Sequence, residues 1–372
     1  LIFSRIFNGT YRFLPYILLC IYIIMRRQLK NSKTLISFLS GILMLIFLIV
    51  LSALFMLING KDNPNLVSGI QSMLYPMLIG YLAFAQMDHE CIDKTMILIL
   101  IISFGAYIYS IGGVTAMNWA TMQTISFESS YSPYESNGFT GIATPLAAYF
   151  IYYRKHKFAM IISVLFALMT FKRGEILITL ILLFLSLCCT WKDNQINWKI
   201  IIFTVLGVEV ATILYSIIMN PAYISLLENF LQSRLNTSAY WFTMGRNSLY
   251  DDLLNSGFIS SGLDSTWLYS QNIEMDLVKL LLEVGPLGVG VVILYFGQYA
   301  KSNWYAYVYM IGVFVNLLTS HSLHTVAGWV LRYILILSLM KYKSDCPIIQ
   351  KRNFCKKKDN AYIWTAKKTD EQ

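Results

Sequence analysis

Residues 158–189 read FAMIISVLFALMTFKRGEILITLILLFLSLCC, two apolar runs separated by a polar corner of Lys172, Arg173, Gly174 and Glu175. Each run is of the order of 15 residues, so each can form a helix that crosses most of a membrane. Charged side chains are costly at such a place unless they have a partner or a function. The segment therefore predicts a helical hairpin in a membrane, with a charged turn at one surface.

The composition of the whole chain agrees with this interpretation. Of its 372 residues, 56% are hydrophobic and only 13% are charged, which is far from the balance of a soluble globular protein. We expect an all-α, polytopic integral membrane protein. Apolar runs of suitable length predict about eleven transmembrane helices. They lie at residues 11–25, 35–59, 66–86, 95–116, 139–153, 158–171, 174–190, 198–219, 277–299, 303–318 and 325–340.

Lys and Arg are distributed unevenly among the connections between these runs. Loops 26–33 and 154–157 are basic, and the tail after residue 340 is rich in lysine. All three fall on one side when eleven helices alternate, and because basic loops resist translocation we assign that side to the cytoplasm. The N-terminus then lies outside. The chain begins with Leu1 instead of Met, and a twelfth helix before it would place both ends in the cytoplasm.

The predicted spans divide the chain into four parts. We expect an N-terminal membrane bundle over residues 1–219, one long external loop subdomain over 220–276, C-terminal membrane helices over 277–340 and a basic cytoplasmic tail over 341–372. The external loop keeps apolar residues at helical spacing, so it is expected to be ordered and to contain short helices.

The sequence lacks the motifs that several classes of function require. The six cysteines show no CxxC or Cys/His grouping, so no metal site is expected. No P-loop, dinucleotide fingerprint or Ser/His/Asp order is present, so no cofactor is expected. The glycines of GPLGVG (285–290) lie in an apolar run and predict close helix packing. The net charge of +9, concentrated in the tail, indicates contact with membrane lipids and no nucleic acid partner.

Three arginines stand out on the predicted external side. Arg173 lies at the corner, and Arg234 and Arg246 lie in the external loop. A fixed guanidinium can bind an anionic group at the membrane surface, such as a lipid-linked phosphate or pyrophosphate. The alternative for Arg173 is an anchor that reaches the lipid headgroups or pairs with Glu175.

Other charged residues lie within the apolar runs. Asp276, Lys279 and Glu283 fall on one stripe of a helix, which indicates either a cavity-facing function or a structural Lys–Glu pair with Asp276 near the helix N-terminus. Glu209 and Arg332 lie near the middle of separate runs. Because neither charge is tolerable alone in hydrocarbon, we expect each to be paired, with the other or with another polar group.

Three segments, taken in order, resemble one protein family. They are FKRGE at the corner, MGRNSLYDDLLNSGFISSGLDS in the late external loop, and EMDLVKLLLEVGPLGV at the start of the next helix. Together they are similar to the Wzy-type oligosaccharide repeat-unit polymerases of O-antigen and capsule, relatives of the O-antigen ligases. Arg234 to Gly245 and Arg246 to Gly257 each enclose ten residues, as in that family. The chain departs from the ligase pattern at Glu274, where ligases have His-Asn.

The resemblance covers mainly residues 170–335, and it implies a reaction at the external face of the inner (plasma) membrane. A glycan on polyprenyl pyrophosphate is transferred to a sugar hydroxyl of the next lipid-linked repeat unit. The implied substrate is an undecaprenyl-pyrophosphate-linked oligosaccharide. A chain-length regulator and a flippase are the implied protein partners.

The same resemblance suggests roles for charged residues of the external side. Guanidinium groups would stabilise the charge that develops on the leaving pyrophosphate, and the candidates are Arg173, Arg234 and Arg246. A carboxylate or an imidazole would accept the proton of the attacking hydroxyl, and the candidates are Glu274, Asp276 and His321. The glycine that precedes the corresponding histidine in capsule polymerases is Ser320 here.

Two other functions share features with this one. A ligase would use the same donor and a lipid-A core or a protein as acceptor. A flippase for the same lipid-linked sugar would carry its charges near the membrane midplane, whereas this chain has them mostly at the external rim. Aromatic residues of the external loops are interfacial by position and are also candidates for stacking on sugar rings: Trp119, Tyr131, Tyr134, Trp241 and Trp267.

Overall fold

The computed structural model describes residues 32–113, 115, 118–124, 133–135, 137–243, 245–269, 273–323 and 325–341. All regular structure in these ranges is helical. The α-helices are α1 (Ser32–Asn59), α2 (Leu66–Gln86), α3 (His89–Ser110), α4 (Trp119–Gln123), α5 (Asn137–Tyr153), α6 (Lys157–Met169), α7 (Arg173–Cys188), α8 (Trp198–Met219), α9 (Pro221–Leu235), α10 (Ala239–Thr243), α11 (Arg246–Asn255), α12 (Asp276–Ala300), α13 (Trp304–Thr319) and α14 (Val326–Lys341). Short 3₁₀ helices occur at Thr190–Asp193 and Ser265–Tyr269.

Five of the described helices are long and apolar enough to cross a membrane: α1, α2, α3, α8 and α12. The prediction of an all-helical membrane protein is therefore confirmed. Other predicted spans coincide with helices of 13 to 17 residues, which are short for a full crossing. The count of eleven thus stays a prediction, and so does the division into four parts. The first predicted span and nearly all of the basic tail lie outside the described residues.

The outer helices present apolar side chains to their surroundings. Leu57 on α1, Ile101 on α3 and Phe203 on α8 are 80%, 63% and 73% exposed. A soluble monomer rarely exposes contiguous apolar surface of this extent, whereas lipid chains cover it in a bilayer. These helices form a lipid-facing side of the described bundle.

The centre of the bundle contains α5, α12 and α14. Helix α5 is buried continuously from Ala143 to Tyr153, and α14 from Leu331 to Leu339. A helix that is apolar on all sides belongs in such a position. Helix α14 packs against α2 and α5, whereas α12 packs against α1, α8 and α13. Two of these central helices carry buried charges, Asp276, Lys279 and Glu283 on α12 and Arg332 on α14.

The contact between α2 and α14 depends on Gly80. A Cβ atom at this position would lie 2.5 Å from the Cβ of Tyr333. We expect Gly80→Ala to lower the free energy of unfolding by about 1–3 kcal/mol, because neither helix can move away without disturbing the core. At Gly105 of α3 a Cβ would meet no atom within 4 Å, so Gly105→Ala should be neutral or slightly stabilising. Thermal midpoints of the purified variants in detergent test this, and equal shifts would contradict it.

Contacts between helix ends define two ends of the bundle. At the corner end, the Tyr107 hydroxyl donates to the main-chain oxygens of Tyr134 at 3.0 Å and of Met169 at 2.6 Å. This joins the last turn of α3 to the residues before α5 and to the corner that follows α6. At the basic-loop end, the Lys155 ammonium lies 2.8 Å from the Asp93 carboxylate. The charged corner and the basic loop therefore lie at opposite ends, as the alternation of helices predicts.

The segment between α8 and α12 folds onto the corner end. Met219, Tyr250, Leu253 and Met275 form a small apolar cluster. The Tyr250 hydroxyl also lies 3.1 Å from the hydroxyl of Ser216 on α8. The segment thus has apolar contacts of its own and is attached to a membrane helix.

Helix α12 is kinked near its start. Gly285 adopts φ +71°, a left-handed conformation that glycine accommodates most easily. The next residue, Pro286, has no N–H to donate within the helix. In the turn before the kink, the main-chain oxygen of Glu283 accepts a hydrogen bond of 2.6 Å from the Ser260 hydroxyl. The predicted apolar helix is present. Close to its kink, the bond from Ser260 attaches the preceding loop to it.

Candidate functional site

Charged residues from separate segments meet at the corner end. Glu135 precedes α5, Lys172 and Arg173 form the corner, Arg246 begins α11, and Glu274 precedes α12. Glu135 interacts electrostatically with all four of the others. We term this group the corner cluster. It brings together two of the three predicted anion-binding arginines and one of the predicted proton acceptors.

Burial shifts the pKa of two residues in the corner cluster. It lowers the pKa of Lys172, although the neighbouring Glu175 opposes that change. It raises the pKa of Glu135, although Lys172 and Arg173 oppose that change. A bound anion favours the protonated form of nearby groups. An anion bound beside these two residues would therefore oppose the pKa shift of Lys172 and add to that of Glu135.

Arg246 is positioned by the turn that begins α11. Gly245 caps the helix with φ +74°, and a Cβ there would lie 3.2 Å from the ring of Tyr240. Nη1 of Arg246 donates to the main-chain oxygen of Thr243 at 3.1 Å. Its Nε is buried without a hydrogen-bond partner among the described residues. A guanidinium with donor capacity to spare suits an oxyanion.

Arg234 lies apart from the corner cluster. It is exposed in the last turn of α9, whereas Arg246 lies at the start of α11. The equal spacing of Arg234 and Arg246 from their glycines therefore does not give them equivalent positions. The structure places Arg246 in the corner cluster, and Arg234 is not a member of that group.

A buried ion pair lies below the corner. Nη2 of Arg332 is 3.8 Å from Oε1 of Glu175, and the two residues are 1% and 4% exposed. Asn316 donates a hydrogen bond to the same carboxylate oxygen. The Arg332 guanidinium also lies 4.7 Å from the centre of the Trp329 ring. The corner glutamate is thus a structural partner, and the alternative in which it pairs with Arg173 is not observed.

The alternative pairing of Arg332 with Glu209 is wrong, because these residues lie on helices that meet different neighbours. A carboxylate oxygen of Glu209 would be 3.2 Å from a Cβ atom at Gly290, which places it at the contact between α8 and α12. Glu209 is half-buried and has no hydrogen bond or ion pair within the described part of the chain. Arg332 pairs with Glu175 instead, which fulfils the second alternative, a pairing with another polar group.

Asp276 and His321 form a second polar group at the corner end. Nδ1 of His321 lies 2.9 Å from Oδ1 of Asp276. Oδ2 of Asp276 accepts hydrogen bonds of 2.6 Å from the main-chain N–H groups of Ser322 and Leu323. The side chain of Asp276 is 1% exposed and that of His321 is 22% exposed. A buried carboxylate that accepts from Nδ1 leaves the imidazole lone pair on Nε2, as a general base requires.

Contacts through α13 connect this pair with the buried ion pair. Glu175 accepts from Asn316, whose main-chain oxygen accepts from the Ser320 hydroxyl at 2.8 Å. The main-chain oxygen of Ser320 in turn accepts from the main-chain N–H of Asp276 at 3.4 Å. The ion pair therefore supports the turn that carries His321.

Lys279 and Glu283, two of the three charged residues in the stripe on α12, have a structural function. The Glu283 carboxylate is fully buried and accepts from the main-chain N–H of Asp264 at 2.8 Å and of Thr266 at 3.0 Å. Lys279 lies 2.5 Å from Asp264 and 3.9 Å from Glu283. The Lys–Glu pair anticipated as the structural alternative is present, with Asp264 as a further partner. Together these residues fix the loop that precedes α12.

Glu135 and Asn316 are site residues that the sequence did not single out. Asn316 is a lone amide in the apolar run of α13, and the cost of an unpaired polar group there is a usable signal. Glu135 lies in a long polar loop, where no pattern separates it from its neighbours. Only the folded chain shows that it faces the corner.

No group of three His, Cys, Asp or Glu side chains in the described ranges could hold a metal ion. In comparisons with protein-family models, with curated proteins and with solved structures, no match to this chain was found. The geometry of the corner end and the sequence motifs are therefore the basis of the functional argument.

Proposed function

We propose that the chain is a Wzy-type repeat-unit polymerase of a surface polysaccharide in the plasma membrane. It transfers a polyprenyl-pyrophosphate-linked glycan to a sugar hydroxyl of the next lipid-linked repeat unit. The observation that carries this proposal is that a cluster with three cations and a histidine paired with an aspartate both lie at the same end of a membrane bundle. The reaction needs both, because a pyrophosphate leaves and a hydroxyl loses its proton.

The reaction is a displacement at the anomeric carbon of the donor. The acceptor hydroxyl oxygen forms the new bond to that carbon, and the bond from the carbon to the pyrophosphate oxygen breaks. The hydroxyl proton passes to Nε2 of His321, and Asp276 stabilises the imidazolium that results. The polyprenyl pyrophosphate leaves with the electron pair of the broken bond. Lys172, Arg173 and Arg246 bind the charge that develops on it.

The side of the membrane follows from the basic residues at the other end of the bundle. Several lysines lie there: Lys155, Lys157, Lys192, Lys199 and Lys301. Positive charge favours the cytoplasmic side, so the corner end is assigned to the external face. The substrate is therefore a repeat unit that a flippase has already moved across the membrane.

The length distribution of the surface polysaccharide tests the role of the cluster. A deletion strain is complemented with the wild-type gene, with Arg246→Ala or with Arg234→Ala, and the polysaccharide is separated on a gel. We expect Arg246→Ala to reduce the ladder to single repeat units at equal protein abundance. Arg234→Ala is the matched control, an exposed arginine outside the cluster, and should retain the ladder.

Two results of that experiment would contradict the proposal. A normal ladder with Arg246→Ala would remove the cluster from the reaction. Loss of all surface polysaccharide, instead of a collapse to single units, would indicate flipping or ligation as the missing step.

A further inference from the structure

Trp267 is an exposed indole on a fixed part of the corner end. Its side chain belongs to the short helix Ser265–Tyr269, and the residue is 43% exposed. The adjacent Thr266 donates both its main-chain N–H and its hydroxyl to the buried Glu283 carboxylate, at 3.0 and 2.7 Å. The backbone that carries the indole is therefore held in place by a membrane helix.

Two neighbours define the surroundings of the indole. The Lys279 ammonium, itself buried, lies 5.5 Å from the ring centre of Trp267, so part of the indole covers a cation while 43% of the residue is exposed. Asp264 and Glu283 balance the charge of Lys279. The His321 ring stands edge-on to the indole, with the ring centroids 6.4 Å apart. The indole is thus a direct neighbour of the proposed base.

The other aromatic candidates for sugar stacking do not share this arrangement. Tyr134 is 4% exposed and so cannot present its ring. Tyr131 and the side chains of Trp119 and Trp241 lie outside the described part of the structure. Trp267 is therefore the candidate of known position with an accessible ring.

Trp198 provides an internal comparison. It is 41% exposed and also covers a lysine, with the Lys301 ammonium 5.5 Å from its ring centre. However, Lys301 is exposed, and the pair lies at the basic-loop end, where an interfacial aromatic belt accounts for it. Trp267 differs because its lysine is buried and a histidine–aspartate pair lies beside it.

We propose that the exposed part of the Trp267 ring is the floor of a subsite for the pyranose ring of the acceptor, which places a sugar hydroxyl at His321. This inference rests on the proposed function. The apolar face of a pyranose carries C–H bonds with partial positive charge, and they are attracted to the negative face of an aromatic ring. A sugar stacked on the indole lies next to the imidazole, because the two protein rings are neighbours.

Sugar binding to the purified full-length protein tests the subsite. The probe is a set of oligosaccharides from partial acid hydrolysis of the source cell's own surface polysaccharide, titrated in detergent and observed by saturation-transfer NMR. We expect saturable binding to the wild type, about tenfold weaker binding to Trp267→Ala and about two- to threefold weaker binding to Trp267→Phe, which keeps an aromatic face. Trp198→Ala is the matched control and should bind like the wild type.

Equal binding by the wild type and Trp267→Ala would overturn the inference, and so would the absence of saturable binding to the wild type. The partial retention in Trp267→Phe separates loss of stacking from loss of folding. Failure of the proposed function gives a different pattern. If sugar binding depends on Trp267 while the strain with Arg246→Ala loses all surface polysaccharide instead of keeping single repeat units, the sugar subsite stands and the polymerase assignment falls.

Discussion

Replacing His321 with alanine is expected to reduce the rate of chain extension by about 100- to 10,000-fold, the usual contribution of a positioned general base. The acceptor hydroxyl would then have to lose its proton to water. Asp276→Asn should also reduce the rate, because the amide cannot stabilise the imidazolium as a carboxylate does. Both changes should act mainly on kcat and leave KM little altered, since the base acts in the transition state. The measurement is the initial rate of linkage formation with lipid-linked repeat units in detergent.

The chain offers a matched control for this prediction. His156 also contacts a buried aspartate, with Nε2 3.2 Å from the Asp93 carboxylate, but at the basic-loop end. His156→Ala should therefore leave the rate of chain extension close to that of the wild type. Activity of His321→Ala within about twofold of the wild type would exclude His321 as the base.

The second large effect concerns the stability of the fold. Glu175→Leu should lower the free energy of unfolding by about 3–5 kcal/mol, because it leaves Arg332 charged and buried without its carboxylate. Arg332→Leu should destabilise for the converse reason. The double variant Glu175→Leu/Arg332→Leu should recover much of the loss, since two apolar side chains of similar volume can replace a buried ion pair. Thermal midpoints and the yield of monodisperse protein in detergent report these differences.

Glu209→Leu is the control for the buried ion pair. Glu209 also lies on a membrane helix, but no ion pair or hydrogen bond holds it within the described residues, so its replacement should be neutral or stabilising. Combining it with Arg332→Leu should give no recovery. A double variant of Glu175 and Arg332 that is less stable than either single variant would contradict the pairing.

Much of the helical organisation is predictable from local sequence. The apolar runs have the length and composition of membrane helices, and each run from residue 35 onwards coincides with a described helix. One of the short helices expected in the external loop begins at Pro221, because proline suits the first turn and the Asn220 side chain accepts from the N–H of Ala222 at 3.0 Å. Gly257, with φ +73°, lies just beyond the end of α11, where a glycine stop is expected.

The partners of the buried charges are not predictable in the same way. Sequence gives the depth of Glu209 and Arg332 in the membrane, but it does not say which way each helix faces or which helices are adjacent. In the structure the partner of Arg332 is Glu175, a residue that the sequence places at the surface corner. Arg234 and Arg246 illustrate the same limit, because equal spacing along the chain leads to different places in the fold.

The measurement that tests the central claim most directly is chain extension by the purified protein in sealed vesicles. The substrate is the lipid-linked repeat unit extracted from the deletion strain, and the products are analysed by mass spectrometry. The account predicts lipid-linked chains of two or more repeat units, with one polyprenyl pyrophosphate released for each new linkage. Movement of unaltered substrate across the bilayer, with no new linkage formed, would contradict it.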